Sequence, residues 1–167
     1  MTIQDRLRAL GRSEPFRRAY VGGTFDCLHR GHLALFAGAR QLARELVVSV
    51  NTDAFAERYK RRPLMPLADR LAVLQACRLV DGVMVNEGDE DSRPALARSG
   101  ADCLIHGSDW VGDGLLQQMG LTTAWLAERR LQLVILPYTE WTSTTQLLEA
   151  YEARVQTSAQ PAAEGVR

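Results

Sequence analysis

The segment Gly22-Gly23-Thr24-Phe25-Asp26-Cys27-Leu28-His29-Arg30-Gly31-His32 constrains the fold more than any other part of the chain. The residues before it, Phe16 to Val21, read as a strand. After it, Leu33, Leu35, Phe36, Ala39, Leu42 and Ala43 recur with helical spacing. The segment is therefore a strand-to-helix corner. Glycines allow a backbone to approach a ligand closely, and the first turn of a helix offers unpaired N–H groups to an anion. His29 and His32 lie three apart where the helix begins, a spacing that lets both imidazoles face one phosphate. Glycine-rich corners are common and a single histidine is usually unremarkable, but two histidines bracketing a glycine at a strand end are a sharper signal.

From this corner the rest of the chain alternates. A short amphipathic helix through Ile3, Leu7 and Leu10 is expected first, as an N-terminal extension (1–17) packing loosely or widening an interface. Strands are expected at about 18–24, 46–50, 80–85, 103–105 and 131–136. Between them helices are expected at 31–44, 54–59 (capped by Asp53), 67–78, 94–98 and 115–130, with Gly120-Leu121-Thr122 as a candidate break; a last helix spans 144–154. The main α/β domain is thus 18–155, and the Ser, Ala, Pro and Gly content of 156–167 suggests a disordered tail. Strands alternating with helices imply an α/β fold, a Rossmann-like five-stranded parallel sheet with helices on both faces. Ligands bind such sheets beyond the carboxyl ends of the strands. Three further segments fall there: Tyr59-Lys60-Arg61, His106-Gly107-Ser108-Asp109-Trp110, and Thr139 to Thr145. Each alone reads as a solvated loop, a turn or a helix cap. Together they gather cations, an aromatic ring and hydroxyls on one rim, with all three histidines of the chain.

Charge and composition narrow the partners. Formal net charge is zero, which gives no electrostatic reason to expect nucleic acid or an anionic membrane. No apolar run approaches the roughly 20 residues that span a bilayer, and the polar N-terminus lacks a signal-peptide pattern, so a cytoplasmic protein is expected. Cys27, Cys77 and Cys103 are odd in number and widely spaced, which argues against a disulfide framework. Cys27, His29 and His32 lack a fourth partner at metal-ligand spacing, so no protein-held metal is expected. Lys60 is the only lysine among the basic residues, as if a compact ammonium were needed where a planar guanidinium does not serve.

Gly23-Thr24-Phe25-Asp26 followed by His29-Arg30-Gly31-His32 resembles the GTFD-x-x-H-x-G-H signature of the cytidylyltransferase-like nucleotidyltransferases, over about Tyr20 to Glu149 and most closely the glycerol-3-phosphate cytidylyltransferases. Gly107-Ser108-Asp109-Trp110 resembles that family's G-D-D-W, and Thr139 to Thr145 its R-T-E-G-I-S-T-T block after the first arginine. The resemblance implies His29, His32 and Lys60 as catalytic residues. It implies Gly23, Thr24, Phe25, Asp109, Trp110, Ser143, Thr144 and Thr145 around the nucleotide, and Asp26, Arg61, Arg70 and Arg78 towards the phosphorylated substrate. The family lysine falls at Tyr59 or Lys60, and of these only Lys60 has the chemistry, with Arg61 as a possible sharer of its role. It further implies Mg²⁺ brought with the nucleotide, and a homodimer. Tyr138 and Trp141 depart from the pattern, where the family has arginine and glycine.

These readings converge on a transferase in which the phosphate of a small phosphorylated (or phosphonate) alcohol, such as glycerol 3-phosphate, attacks a nucleoside triphosphate and pyrophosphate leaves. Such chemistry asks the protein for charge neutralisation and alignment rather than a nucleophile of its own. CTP is the expected nucleotide, with Asp109 accepting from the exocyclic amine of the base. ATP with a sugar phosphate is the alternative, for which Asn51-Thr52-Asp53 and Arg62-Pro63 are equally suited. A non-catalytic nucleotide-binding module is the reading from another class, and turnover to pyrophosphate separates it from both.

Overall fold

The computed structural model describes residues 2–108, 113–137 and 144–158. In chain order the elements are α1 (Ile3–Ala9), β1 (Phe16–Gly23), α2 (Arg30–Leu42), β2 (Ala43–Asn51), α3 (Asp53–Tyr59), α4 (Leu67–Gln75), β3 (Gly82–Asn86), α5 (Arg93–Ser99), β4 (Cys103–Gly107), α6 (Asp113–Gln118), α7 (Thr123–Glu128), β5 (Gln132–Leu136) and α8 (Thr144–Ser158). The five strands form one all-parallel sheet in the order β3-β2-β1-β4-β5, the doubly wound architecture expected from the sequence.

Strand alternation builds a core on each face. Phe16, Ala19, Val21, Leu46, Val48, Val50, Cys103, Ile105, Val134 and Leu136 share one cluster with Leu7, Phe36, Leu42 and Leu74 of α1, α2 and α4. Tyr20 and Leu104 point to the other, against Leu96 of α5, Leu115 near α6's start and Leu126 of α7. Leu7 is fully buried, so α1 is packed into the domain core rather than resting loosely on it.

Local chemistry accounts for the element ends that differ from expectation. Thr52, not Asp53, caps α3, its side chain accepting from the Phe55 N–H; the Asp53 carboxylate serves other partners described below. The 115–130 stretch does break at the candidate site Gly120-Leu121-Thr122, because Gly120 adopts φ +65° and Thr122 caps α7 through the Trp125 N–H. His106 and Gly107 continue β4 instead of following it, and α8 extends to Ser158. No helix among the described residues is long and apolar enough to cross a membrane.

The ladders end unevenly, and that opens the site. β1 pairs with β2 as far as Gly23↔Val50, but with β4 only at Ala19↔Cys103 and Tyr20↔Leu104. Beyond Tyr20 the two central strands part. The connections leave β1 and β4 in opposite directions at this point, the switch of strand order where α/β sheets take their ligands.

Candidate active site

The corner after β1 is held in a conformation that few side chains adopt. Phe25 and Cys27 have φ of 53° and 50°, each costing about 1–3 kcal/mol for a non-glycine residue. The strain folds the Phe25 ring back over Gly23, where an added Cβ would lie 2.9 Å from the ring. Glycine at 23 is therefore a packing requirement. Phe25 is buried, edge-on to His32 with centroids 5.3 Å apart and tilted against Phe36 at 5.4 Å. It acts as a wedge that fixes the second histidine.

The spacing of the histidines has a local cause that the sequence alone does not reveal. His29 is the N-cap of α2, and its Nδ1 accepts from the Gly31 N–H at 3.1 Å. His32, at the third helical position, accepts on its own Nδ1 from the His29 N–H at 3.5 Å. This is a reciprocal capping box built from imidazoles rather than from Ser and Glu. The rings stack with centroids 3.8 Å apart and planes 25° from parallel. An Nδ1 that accepts cannot carry the proton, so in the neutral ring the proton sits on Nε2. Burial pushes the His29 pKa below its ordinary value. Burial, followed by the neighbouring His29, pushes His32 down to about 3 despite the opposing pull of Asp26. Two neutral imidazoles, each with an Nε2–H to donate, thus line the cleft at the start of a helix.

Asp26 and Arg70 lie at the same strand ends but are turned inward. The Asp26 carboxylate accepts from the Leu64 and Met65 N–H groups, both at 3.0 Å, and pairs with Arg61 at 3.2 Å. Burial alone raises its pKa, but the Met65 and Leu64 N–H groups and the Arg61 charge more than reverse that, leaving it below the ordinary carboxylate value. Arg70 is fully buried. It donates from Nε to the Met65 carbonyl at 3.1 Å and from Nη1 to the Thr24 and Asn51 carbonyls at 2.6 and 3.0 Å; Nη2 reaches Asp53 Oδ1 at 2.5 Å. Asp53 also accepts from the Leu67 N–H. Arg70 therefore ties β1, β2 and the start of α4 together beneath the cleft and does not line it. Arg78, expected near a substrate phosphate, is exposed just past the C-terminal end of α4. Because α4 runs back along the sheet, that end lies by the start of β3, away from the strand carboxyl ends.

The remaining expected residues fall on the cleft. Gly23, Thr24, Phe25, Asp26, His29, His32, Lys60, Arg61 and Thr144 all line one cavity of about 270 Å³. Lys60 is the exposed C-cap of α3, and its ammonium has no partner among the described residues; Arg61 is engaged by Asp26. Lys60 is thus the cation left available in the 59–61 loop. Thr144, where α8 begins, donates from Oγ1 to the Asp26 carbonyl at 2.8 Å, tying α8 to the histidine corner. Thr145 is exposed and does not line the cavity. Asp109, Trp110, Tyr138, Trp141 and Ser143 lie outside the described residues. Among the described residues no group of three or more His, Cys, Asp or Glu side chains is placed to hold a metal ion.

The cavity also has a wall of which the sequence reading named only Asn51. It comprises Asn51 and Asn86 at the ends of β2 and β3, Ser92 before α5, and Leu115, Gln118 and Met119 around α6. The strand-end rule could have picked out Asn86 as well. Nothing in the sequence marks Gln118, since α6 is brought to the site by tertiary packing: Leu115 and Met119 join the cluster around Tyr20 and Leu104, and the Ser92 N–H bonds the Met119 carbonyl at 2.9 Å.

A doubly wound sheet with paired neutral histidines at the helix start, a lysine on the facing loop and a threonine-led second helix defines a nucleotide-handling α/β protein. The comparisons make this specific: the chain belongs to the Cytidylyltransferase-like family of nucleotidyltransferases, matching it over residues 20–150. It is 42% identical over 130 residues to the bifunctional protein HldE of Streptomyces coelicolor, covering 77% of this chain and 27% of that one. To the bifunctional protein HldE of Proteus mirabilis it is 34% identical, covering 87% of this chain and 30% of the other. The chain thus spans under a third of the length of these relatives. In fold it is similar to a lipopolysaccharide core biosynthesis protein of Thermoplasma volcanium, with TM-score 0.62 and 22% identity over 76% of this chain and 99% of that chain. A pantothenate synthetase of Thermus thermophilus gives TM-score 0.53 at 22% identity over 93% of this chain and 68% of the other.

Proposed function

We propose that this chain transfers an adenylyl group from ATP to the phosphate of a sugar phosphate, with release of pyrophosphate. An oxygen of the acceptor phosphate attacks the α-phosphorus, a new P–O bond forms, and the bond to the bridging oxygen of the pyrophosphate breaks with its electron pair. The observation that carries the reading is the stacked histidine pair. Both rings are locked by their Nδ1 acceptors, so both Nε2–H groups are preorganised donors for non-bridging oxygens that gain charge at the transition state. Neutral rings suit this role because neither gives up a proton. Lys60 supplies the positive charge, and the α2 N-terminus adds backbone dipoles to the same region. Mg²⁺ would arrive on the nucleotide's phosphates, the usual mode for this ion, since the described residues offer no cage for it.

Similarity to the HldE proteins weighs towards ATP and a sugar phosphate. The second reading, CTP with a small alcohol phosphate such as glycerol 3-phosphate, keeps the support of the Gly107-Ser108-Asp109-Trp110 resemblance. A matrix of the four nucleoside triphosphates against hexose 1-phosphates and glycerol 3-phosphate, read by pyrophosphate release with Mg²⁺ present, separates them. Release that is fastest with ATP and a sugar phosphate is expected. Release confined to CTP and glycerol 3-phosphate would reverse the order of the two readings, and nucleotide binding without turnover in any pairing would favour a binding module.

A further inference from the structure

Lys60 stands between two arginines that are both spent on carboxylates. Arg61, after it, pairs with Asp26 at 3.2 Å. Arg58, before it, donates from Nη2 to Asp89 Oδ2 at 2.7 Å and reaches Glu90 Oε1 at 3.3 Å. Asp89 also holds the other end of α3. Its Oδ1 accepts from the Thr52 hydroxyl at 3.2 Å, and that hydroxyl oxygen accepts from the Phe55 N–H at 3.1 Å. A hydroxyl has one proton, so giving it to Asp89 turns the lone pairs towards the helix that Thr52 caps. One carboxylate thus grips both the N-cap and the last turn of α3.

The helix has few other holds, and the anchor is firm. Seven residues make little stable helix on their own, and α3 buries only Phe55 and Ala56. Asp89 sits on a tight turn after β3. Its φ is 51°, and its backbone carbonyl accepts from Asn86 Nδ2 at 2.9 Å. The Asp91 N–H closes the turn on the Gly88 carbonyl at 2.9 Å, and a Cβ at Gly88 would run into the Asp91 carbonyl oxygen. We propose that Asp89 is a positioning residue: through Arg58 and Thr52 it orients α3 so that Lys60, the C-cap, offers its ammonium to a phosphate in the cleft. The inference rests on the reading of that cleft as a phosphate-handling site with Lys60 as its cation. Lys60 lines the cavity, whereas Thr52, Arg58, Asp89 and Glu90 do not, so these four act on a ligand there only through α3.

Calorimetric titration of the full chain with tripolyphosphate, in Mg²⁺-free buffer, reads phosphate binding without turnover. Lys60→Met should weaken it about ten-fold. Asp89→Asn tolerates the left-handed backbone and keeps an acceptor for Thr52, but it removes the charge that holds Arg58. It should weaken tripolyphosphate about three- to five-fold and move Tm by no more than about 3 °C. The direction is decisive, because deleting a negative charge favours an anion by itself, and electrostatics alone would tighten binding. Arg58→Gln should weaken binding at least as much. In the Lys60→Met background neither change should weaken it further. A larger fall in Tm leaves that comparison intact, since general loosening weakens binding in both backgrounds. Affinity unchanged or raised in Asp89→Asn, a loss that persists without Lys60, or normal binding by Lys60→Met would each overturn the proposal. Coupling of Asp89 to Lys60 in a chain that releases no pyrophosphate from any nucleoside triphosphate would keep the positioning role and retire the transferase reading.

Discussion

Two clusters of ionisable side chains meet at the carboxyl ends of β1 and β2, and they dispose of their hydrogen bonds in opposite ways. In the histidine pair each ring spends one nitrogen on the backbone and keeps the other for the cleft. In the Asp26–Arg70 region the carboxylate and the guanidinium are consumed by backbone N–H and C=O groups from loops, strand ends and the start of α4. Both clusters carry residues the family signature pairs with phosphates. Residue type alone does not separate the two clusters; what separates them is the hydrogen-bonding capacity the fold leaves unspent. One cluster ties the floor of the cleft together, and the other keeps ring nitrogens free above it.

The largest expected effect strikes the floor. Arg70→Met leaves three carbonyls and the Asp53 carboxylate without their shared donor, and should destabilise the fold by about 3–5 kcal/mol in urea unfolding. Arg70→Lys should recover little, because one ammonium cannot span the same fan of acceptors. A variant that folds normally but loses substrate affinity would show that Arg70 belongs with the histidines instead.

A smaller effect on stability and a large one on rate are expected at the corner. His29→Ala should cost about 1 kcal/mol through the lost cap and lower kcat by on the order of 10²–10³. His29→Asn divides these roles: asparagine is a good N-cap but has no Nε2–H, so stability should return while kcat stays low. Recovery of both in the Asn variant would make the histidine structural.

A third expected effect is on pH dependence, read as a gradual slope over several pH units. His32 has a folded-state pKa of about 3 against an ordinary value of 6.5, so between these the unfolded chain binds the proton that the fold excludes. Stability should therefore decline as pH falls from about 6.5 towards 3, and His32→Ala should flatten part of that slope. Turnover should show no inflection near pH 6.5 from this ring, since it is already neutral above and below it. Asp26 acts in the same direction at lower pH, its depressed pKa giving stability above the ordinary carboxylate value that is lost as the pH falls further.

Much of this arrangement was legible in the sequence because it is written locally. The strand, glycine corner and histidine-led helix follow from neighbouring residues, and the two cores follow in large part from alternation along the strands. The fate of the arginines was not legible. Arg70 is buried because carbonyls from residues 24, 51 and 65 converge on it, and carbonyls have no sequence signature. Arg78 stands eight residues after Arg70, past the end of α4, and that length of helix carries the chain from the site end of the sheet back to the start of β3. Thr52 and Asp53 are both good caps, and only the competing demand of Arg70 and Leu67 for the Asp53 carboxylate decides between them. The Gln118 side of the cavity was hidden for the same reason: α6 is placed there by the tertiary packing of Leu115 and Met119 and by the Ser92–Met119 backbone bond.

The Arg70 junction also bears on how the chain reaches its native state. Its hydrogen bonds span sequence separations of 46, 19, 17 and 5 residues. Contacts of that range form only after the intervening loops have closed, and closure must be met in entropy before the bonds return any energy. The floor beneath the histidines therefore has no early or partial form that helix formation alone could supply. In a refolding time course, the capacity to bind nucleotide should appear together with the burial of the core and lag behind the gain of helical signal.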